Sequence, residues 1–146
     1  MKPRIVIPTV APEAYQALMN LEGYIAKTSL TATHKELIKI RASQINGCAF
    51  CINMHTADAR KYGETEQRIY LLNAWREVVN LYTEEERVIL ALTEEMTLIA
   101  NGGVSDATYN AAKALFDDNH LAQIMVAIMM INAWNRMAIS THMQPA

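Results

Sequence analysis

Apolar residues in this chain recur at intervals of three and four between repeated helix start and stop signals, and no stretch shows the two-residue alternation of a half-buried strand. That patterning confines the chain to helices. Pro12 sits where a first helical residue is favoured, and Ala14, Leu18, Leu21 and Ile25 follow at helical spacing up to Lys27. Ser29 or Thr31 can cap a second helix carrying Leu37, Ile38, Arg41 and Ile45, which Asn46-Gly47 stops. A third helix is expected from Cys48 through Ala57 and Ala59 to Tyr62-Gly63, and Thr65 opens a short fourth through Leu71 and Leu72. Thr83-Glu84-Glu85-Glu86 has the form of a capping box, and Ile89, Leu92, Met96 and Ile99 follow it until Asn101-Gly102-Gly103. Ser105, with Asp106 in the first turn, caps another helix, and a long C-terminal helix follows from about Asn119. The expected architecture is all-α: one domain over residues 1–146, a bundle of about six or seven helices, with the last three able to lie over helices two to four.

A chain of 146 residues with 51% hydrophobic and 19% charged residues, five glycines and four prolines is too apolar and too regular to stay disordered. At this length one core can bury roughly two thirds of the surface that the unfolded chain exposes. A formal net charge of -2 without any Lys/Arg run gives no reason to bind nucleic acid or an anionic membrane. The longest apolar segment, Leu121 to Trp134, contains Gln123 and Asn132 and falls short of the roughly 18 residues of a membrane span, so it reads as a buried helix. Pro3 and Pro8 interrupt the N-terminal apolar stretch before signal-peptide length, so a cytoplasmic location is expected. A reducing cytosol keeps two cysteines as thiols unless they are redox-active, which disfavours a stapling role and leaves catalysis or metal.

Cys48-Ala49-Phe50-Cys51 places the two thiols three residues apart, and a stop at Gly47 puts both in the first turn of the next helix. Unpaired amide N–H groups and the positive end of the helix dipole there favour a thiolate, which predicts lowered cysteine pKa values. Two such thiols can also close a disulfide. His55, four residues beyond Cys51 and seven beyond Cys48, shares their helical face. Glu36 is twelve residues before Cys48, about 18 Å away along one straight helix. If the chain instead turns back at Gly47 as an antiparallel hairpin, Glu36 and His55 differ in axial level by only about 4 to 5 Å. Carboxylate, imidazole and thiol then stand in sequence: Glu36 orients His55, and His55 accepts a proton from a cysteine, directly or through water.

Each of these residues has a plainer reading. Free cysteines are commonly small buried apolar groups. Glu36 can be an exposed first-turn acid completing a capping box with Thr33. A structural zinc module could use Cys48, Cys51, His55 and either Glu36 or a distant histidine as ligands. His34, His120 and His142 have no partner spacing and read as surface or interface residues. The nine methionines read as adaptable core filler, and Trp75 and Trp134 as closing the core or an interface, or lining an apolar channel.

The spacing of Glu36, Cys48, Cys51 and His55, set in Arg41-Ala42-Ser43-Gln44-Ile45-Asn46-Gly47-Cys48-Ala49-Phe50-Cys51, resembles the alkylhydroperoxidase D (AhpD) branch of the carboxymuconolactone decarboxylase-like family. Ala59-Arg60, Gly63, Trp75-Arg76-Glu77, Glu86-Arg87, Thr93-Glu94 and Asn132-Ala133-Trp134-Asn135-Arg136 extend the likeness over nearly the whole chain. One position departs: AhpD proper has a histidine just before its second cysteine, where this chain has Phe50. The resemblance implies a thiol peroxidase acting on an organic hydroperoxide or hydrogen peroxide, in which Cys51 attacks and becomes a sulfenic acid and Cys48 resolves it to a disulfide. Glu36 and His55 would be the proton relay, and no flavin, haem or metal would be required. It also implies an external dithiol reductant such as a lipoylated protein, a peroxiredoxin as a further partner, and assembly as a homo-oligomer, a trimer or a hexamer. The wider family's decarboxylation of a lactone is the alternative, against which the paired cysteines argue, since proton transfer needs no dithiol.

Overall fold

The computed structural model describes residue 2 and residues 4–145. Met1 and Pro3, on which part of the reading of the N-terminus rests, and Ala146 lie outside the described residues. Among the described residues there are eight α-helices and no strand: α1 Ile7–Val10, α2 Pro12–Ala26, α3 Ala32–Asn46, α4 Ala49–Lys61, α5 Glu66–Tyr70, α6 Glu84–Thr97, α7 Asp106–Leu115 and α8 Asp118–Thr141. Single 3₁₀ turns at Leu72–Ala74 and Ile99–Asn101 extend α5 and α6. The eighth helix, beyond the seven expected, is α1. Pro8 fits its first turn, where the missing N–H costs nothing, and it spans only four residues, too few for periodicity to reveal.

Short polar side chains start the helices where expected. Thr31, Thr65, Thr83 and Ser105 each accept a hydrogen bond from the backbone N–H three residues on, and Thr83 and Glu86 complete a reciprocal capping box. Asp117 does the same for α8, one residue ahead of the expected start. The turn between α3 and α4 is the tightest. Gly47 takes the left-handed conformation at φ 70°, its N–H bonds to Gln44 O at 3.3 Å, and Cys48 N–H bonds to Ser43 O at 2.9 Å. This is the 6→1 and 5→2 pairing of a Schellman ending, and it reverses the chain within two residues. Cys48 then serves as the N-cap of α4.

Helix α3 is the hub, packing against α4, α6 and α8. It is apolar on more than one side, as a helix enclosed by neighbours must be. Ile38 and Ala42 join Ile89, Leu92, Ile124, Ile128 and Ile131 in the larger core. Leu37 and Ile40 face a smaller one with Leu72, Trp75, Tyr82 and Leu90. Each fully buried branched residue contributes about 1.5–3 kcal/mol relative to leaving it in water. α6 and α8 lie on α3 and α7 lies on both of them, much as the expected layering of the last three helices. The 24-residue α8 buries Ile124, Ile128 and Ile131 in the core, and no helix among the described residues is long and apolar enough to cross a membrane.

The motif residues scattered beyond the cysteines converge on Glu94. Its carboxylate accepts from Arg41 Nε at 2.9 Å, Trp75 Nε1 at 2.8 Å and Arg76 Nη2 at 2.7 Å. Burial raises its pKa, but these three donors outweigh it and hold the carboxyl below its usual value. One acid thus ties α3, the loop after α5 and α6 together.

Candidate active site

The hairpin at Gly47 brings the four predicted residues into one region. Cys48 is the N-cap of α4 and its sulfur accepts the Cys51 N–H at 3.4 Å, so a thiol fills the place a serine hydroxyl usually takes. Cys51 follows within the first turn and His55 one turn later, and both are buried. Both cysteines are free thiols, 1% and 2% exposed. From the opposite leg, Glu36 Oε2 accepts the His55 Nδ1–H at 3.0 Å. Glu36 is itself buried, and α3 is capped by Thr31 through the N–H of His34, so the exposed capping-box role with Thr33 does not hold. An ionised carboxylate only accepts, so the proton sits on Nδ1 and Nε2 is left as the basic nitrogen.

Behind this pair lies a charged chain that sequence spacing did not reveal. Lys39 Nζ stands 4.0 Å from Glu36 Oε1 and donates to Glu22 Oε1 at 2.8 Å, while Trp134 Nε1 donates to Glu22 Oε2 at 3.0 Å. Burial raises the Glu22 pKa, but Lys39 and the indole outweigh it, so Glu22 stays below the ordinary carboxylate value. Glu22 lies on α2 and Trp134 on α8, far apart in sequence and sharing no motif. The available signal was weaker: a buried indole N–H needs an acceptor.

Cys51 and His55 open on a cavity of about 370 Å³ between α2, α4 and α8. Its walls are largely apolar, with Met19, Phe50, Met54, Trp134 and Met137 among them, and Lys39 on one side. Cys48 is not among its lining residues. Several methionines expected as core filler therefore form a cavity wall, and Trp134 takes the channel-lining role. His34, His120 and His142 are not part of this wall, and His34 is buried rather than on the surface.

The thiol chemistry differs from the expectation in one respect. Burial pushes the Cys51 thiol up to about 12, and the neighbouring Cys48 sulfur adds to the rise, while Asn135 and Ser43 pull the other way. The positive end of a short helix is a partial charge, and removing a thiolate from water outweighs it here. Cys51 at rest is a protonated thiol, and using it as a nucleophile calls for a base. As for zinc, among the described residues no three His, Cys, Asp or Glu side chains converge as metal ligands.

The sequence profile of the Carboxymuconolactone decarboxylase family matches residues 12–95 of this all-helical chain. The chain belongs to that family. It is 46% identical over 140 residues to the uncharacterized protein YdfG of Bacillus subtilis (strain 168), covering 96% of this chain and 95% of that one. A crystal structure of an Agrobacterium tumefaciens protein of unknown function, for which an AhpD antioxidant defence role is suggested, is 42% identical over 99% of each chain, with a TM-score of 0.94. An uncharacterized peroxidase-related protein from Ralstonia eutropha JMP134, with an alkylhydroperoxidase AhpD core, shares the fold at 20% identity, with a TM-score of 0.81 over 95% of this chain and 74% of its own.

Proposed function

We propose that this chain is a thiol-dependent peroxidase that reduces organic hydroperoxides, with Cys51 as nucleophile, Cys48 as resolving thiol, His55 as base and Glu36 as the group that orients it. The observation carrying this reading is that Cys51 and His55 share the wall of one apolar cavity, whereas Cys48 sits behind them at the helix cap. An apolar wall rich in methionine fits an alkyl or aryl group better than hydrogen peroxide alone.

In the first step His55 Nε2, directly or through one water, accepts the Cys51 proton, and the Glu36 carboxylate stabilises the imidazolium. The thiolate attacks the terminal peroxide oxygen: an S–O bond forms, the O–O bond breaks, and the alkoxide leaves as the alcohol with the proton from His55. Cys51 is oxidised by two electrons to sulfenic acid. The Cys48 thiol attacks that sulfur as its proton passes to the departing oxygen: the S–S bond forms, the S–O bond breaks, and water leaves. An external dithiol of the lipoyl type then reduces the disulfide by exchange, and a peroxiredoxin is a second partner for the reduced pair. The chain works as a homo-oligomer, trimer or hexamer, a reading supported by exposed Ile5, Val6, Val10 and Tyr24 near the N-terminus. A monomer in sedimentation at micromolar concentration refutes that part.

Anaerobic thiol counting before and after one equivalent of cumene hydroperoxide tests the chemistry. Wild type should lose two thiols, Cys48→Ser should lose one and become trappable by dimedone, and Cys51→Ser should lose none. Consumption by Cys51→Ser at the wild-type rate overturns the assignment.

A further inference from the structure

Helix α8 ends in a sharp reversal. His142, its C-cap, takes φ 60°, the one positive φ outside glycine among the described residues, where a side chain costs about 1–2 kcal/mol. Met143 N–H then bonds back to Ala138 O at 3.0 Å, and Met143 joins the wall of the cavity that Cys51 and His55 line. The N-terminal segment is laced to the same end of α8. Arg4 N–H donates to Thr141 O at 3.1 Å, Arg4 Nη1 to Ser140 O at 2.9 Å, and His142 Nδ1–H to Lys2 O at 3.1 Å.

Between this strap and the end of α8 lies a second cavity of about 270 Å³, with Ile7, Pro8 and Thr141 in its walls. Tyr15, Met137 and Met143 line both this chamber and the one of about 370 Å³ at Cys51, so the two adjoin. From Trp134 in the wall of the first to Thr141 in the wall of the second, α8 rises about 10 Å. The joined space is elongated, and the residues shared between its chambers are apolar or aromatic.

Its two ends differ in charge. The chamber at Cys51 has Glu22, Asp58 and Lys39 in its wall, and the lysine ammonium is already taken by Glu22 at 2.8 Å and stands 4.0 Å from Glu36. The second chamber has no acid among its lining residues, and Arg4 is its one permanently charged side chain. Among the described residues the Arg4 guanidinium meets only the Ser140 carbonyl and no carboxylate, so most of its five N–H donors stay open. A carboxylate placed beside Cys51 would face like charges, whereas one placed in the second chamber meets a planar fork of matching geometry.

We propose that the second chamber is a subsite for the carboxylate end of an elongated substrate, with Arg4 as its anchor. The hydroperoxide lies against Cys51 and His55, the alkyl chain passes Tyr15, Met137 and Met143, and the head group pairs with Arg4. The subsite deepens the peroxidase reading and rests on it, naming the substrate class as hydroperoxides of fatty acids. Arg4 is exposed, so the pair changes selectivity by about three- to fivefold rather than by orders of magnitude.

The test compares linoleic acid hydroperoxide with its methyl ester, which keeps the chain and the peroxide and loses the charge. In wild type kcat/KM should favour the acid about three- to fivefold; Arg4→Gln should bring the ratio to about one, and Arg4→Lys should keep part of it. Equal rates for acid and ester in wild type, or a preference that Arg4→Gln leaves intact, overturn the subsite. Dodecanoate, which carries no peroxide, gives a readout independent of turnover: it should slow iodoacetamide alkylation of Cys51 in Cys48→Ser, and less so when Arg4→Gln is added. Dodecanoate that binds by calorimetry without shielding Cys51 also overturns the subsite. Shielding that depends on Arg4 in a protein that consumes no peroxide leaves the subsite standing and removes the peroxidase reading. Consumption of cumene hydroperoxide without acid preference or shielding does the reverse.

Discussion

His55 Nδ1 and Glu36 Oε2 lie 3.0 Å apart although nineteen residues of chain separate them, and both side chains are buried. The two-residue reversal at Gly47 and Cys48 makes that meeting possible by setting α3 and α4 side by side. The pair fixes which imidazole nitrogen carries the proton and leaves the other for the cavity.

Glu36→Gln keeps an acceptor for His55 Nδ1–H but removes the negative charge that stabilises imidazolium. The second-order rate with cumene hydroperoxide should fall about ten- to a hundredfold, and His55→Ala should fall at least as far. Stopped-flow peroxide consumption across pH measures both, and a wild-type rate in either variant shows that the pair is structural only.

Cys51 should make folding sensitive to alkaline pH. Its folded pKa is raised from 9.0 to about 12, so the folded state holds the proton more tightly than the unfolded chain. The resulting stability is present in full below about pH 9 and is lost as pH rises through the folded value. Urea midpoints of wild type and Cys51→Ser should therefore converge or cross between pH 9 and 11, and parallel curves over that range contradict it.

At Gly47 an added methyl group meets nothing within 4 Å, yet φ is +70°. Gly47→Ala should cost about 1 kcal/mol through backbone conformation alone. Urea denaturation reads this directly. A neutral result would mean that the turn can relax to another conformation, and the Glu36–His55 pair should then weaken too.

Removing the charge at Glu94 leaves Arg41, Arg76 and the Trp75 indole sharing a neutral acceptor. Glu94→Gln should lose about 2 kcal/mol at neutral pH. Because the Glu94 pKa is depressed, the advantage of wild type is full above the ordinary value of 4.5 and fades as pH falls through the folded value. Thermal melts at pH 7 and pH 3 test it: a difference that persists undiminished at pH 3 assigns the loss to geometry rather than charge.

Much of this was legible beforehand. The helix starts at Thr31, Thr65, Thr83 and Ser105 and the stop at Gly47 are local hydrogen-bond chemistry, written in one to four neighbouring residues. The Glu36–His55 approach was legible as well, because helix rise and a single reversal fix axial level by arithmetic. Helix α1 was missed for want of length. Glu22 and Lys39 were missed because their partners come from other helices at no regular spacing.

Local chemistry therefore determined the helices, the hairpin and that Glu36 would meet His55 across it, since rise per residue and capping act within a turn or two of the chain. Tertiary packing decided the rest: that Cys51 faces an apolar cavity while Cys48 does not, that Asn135 of α8 pairs with Ser43 of α3, and that the Cys51 thiol is held protonated rather than ionised. Those properties depend on how much water the whole fold removes from one atom, and desolvation is a sum over every neighbour that no spacing in the sequence records.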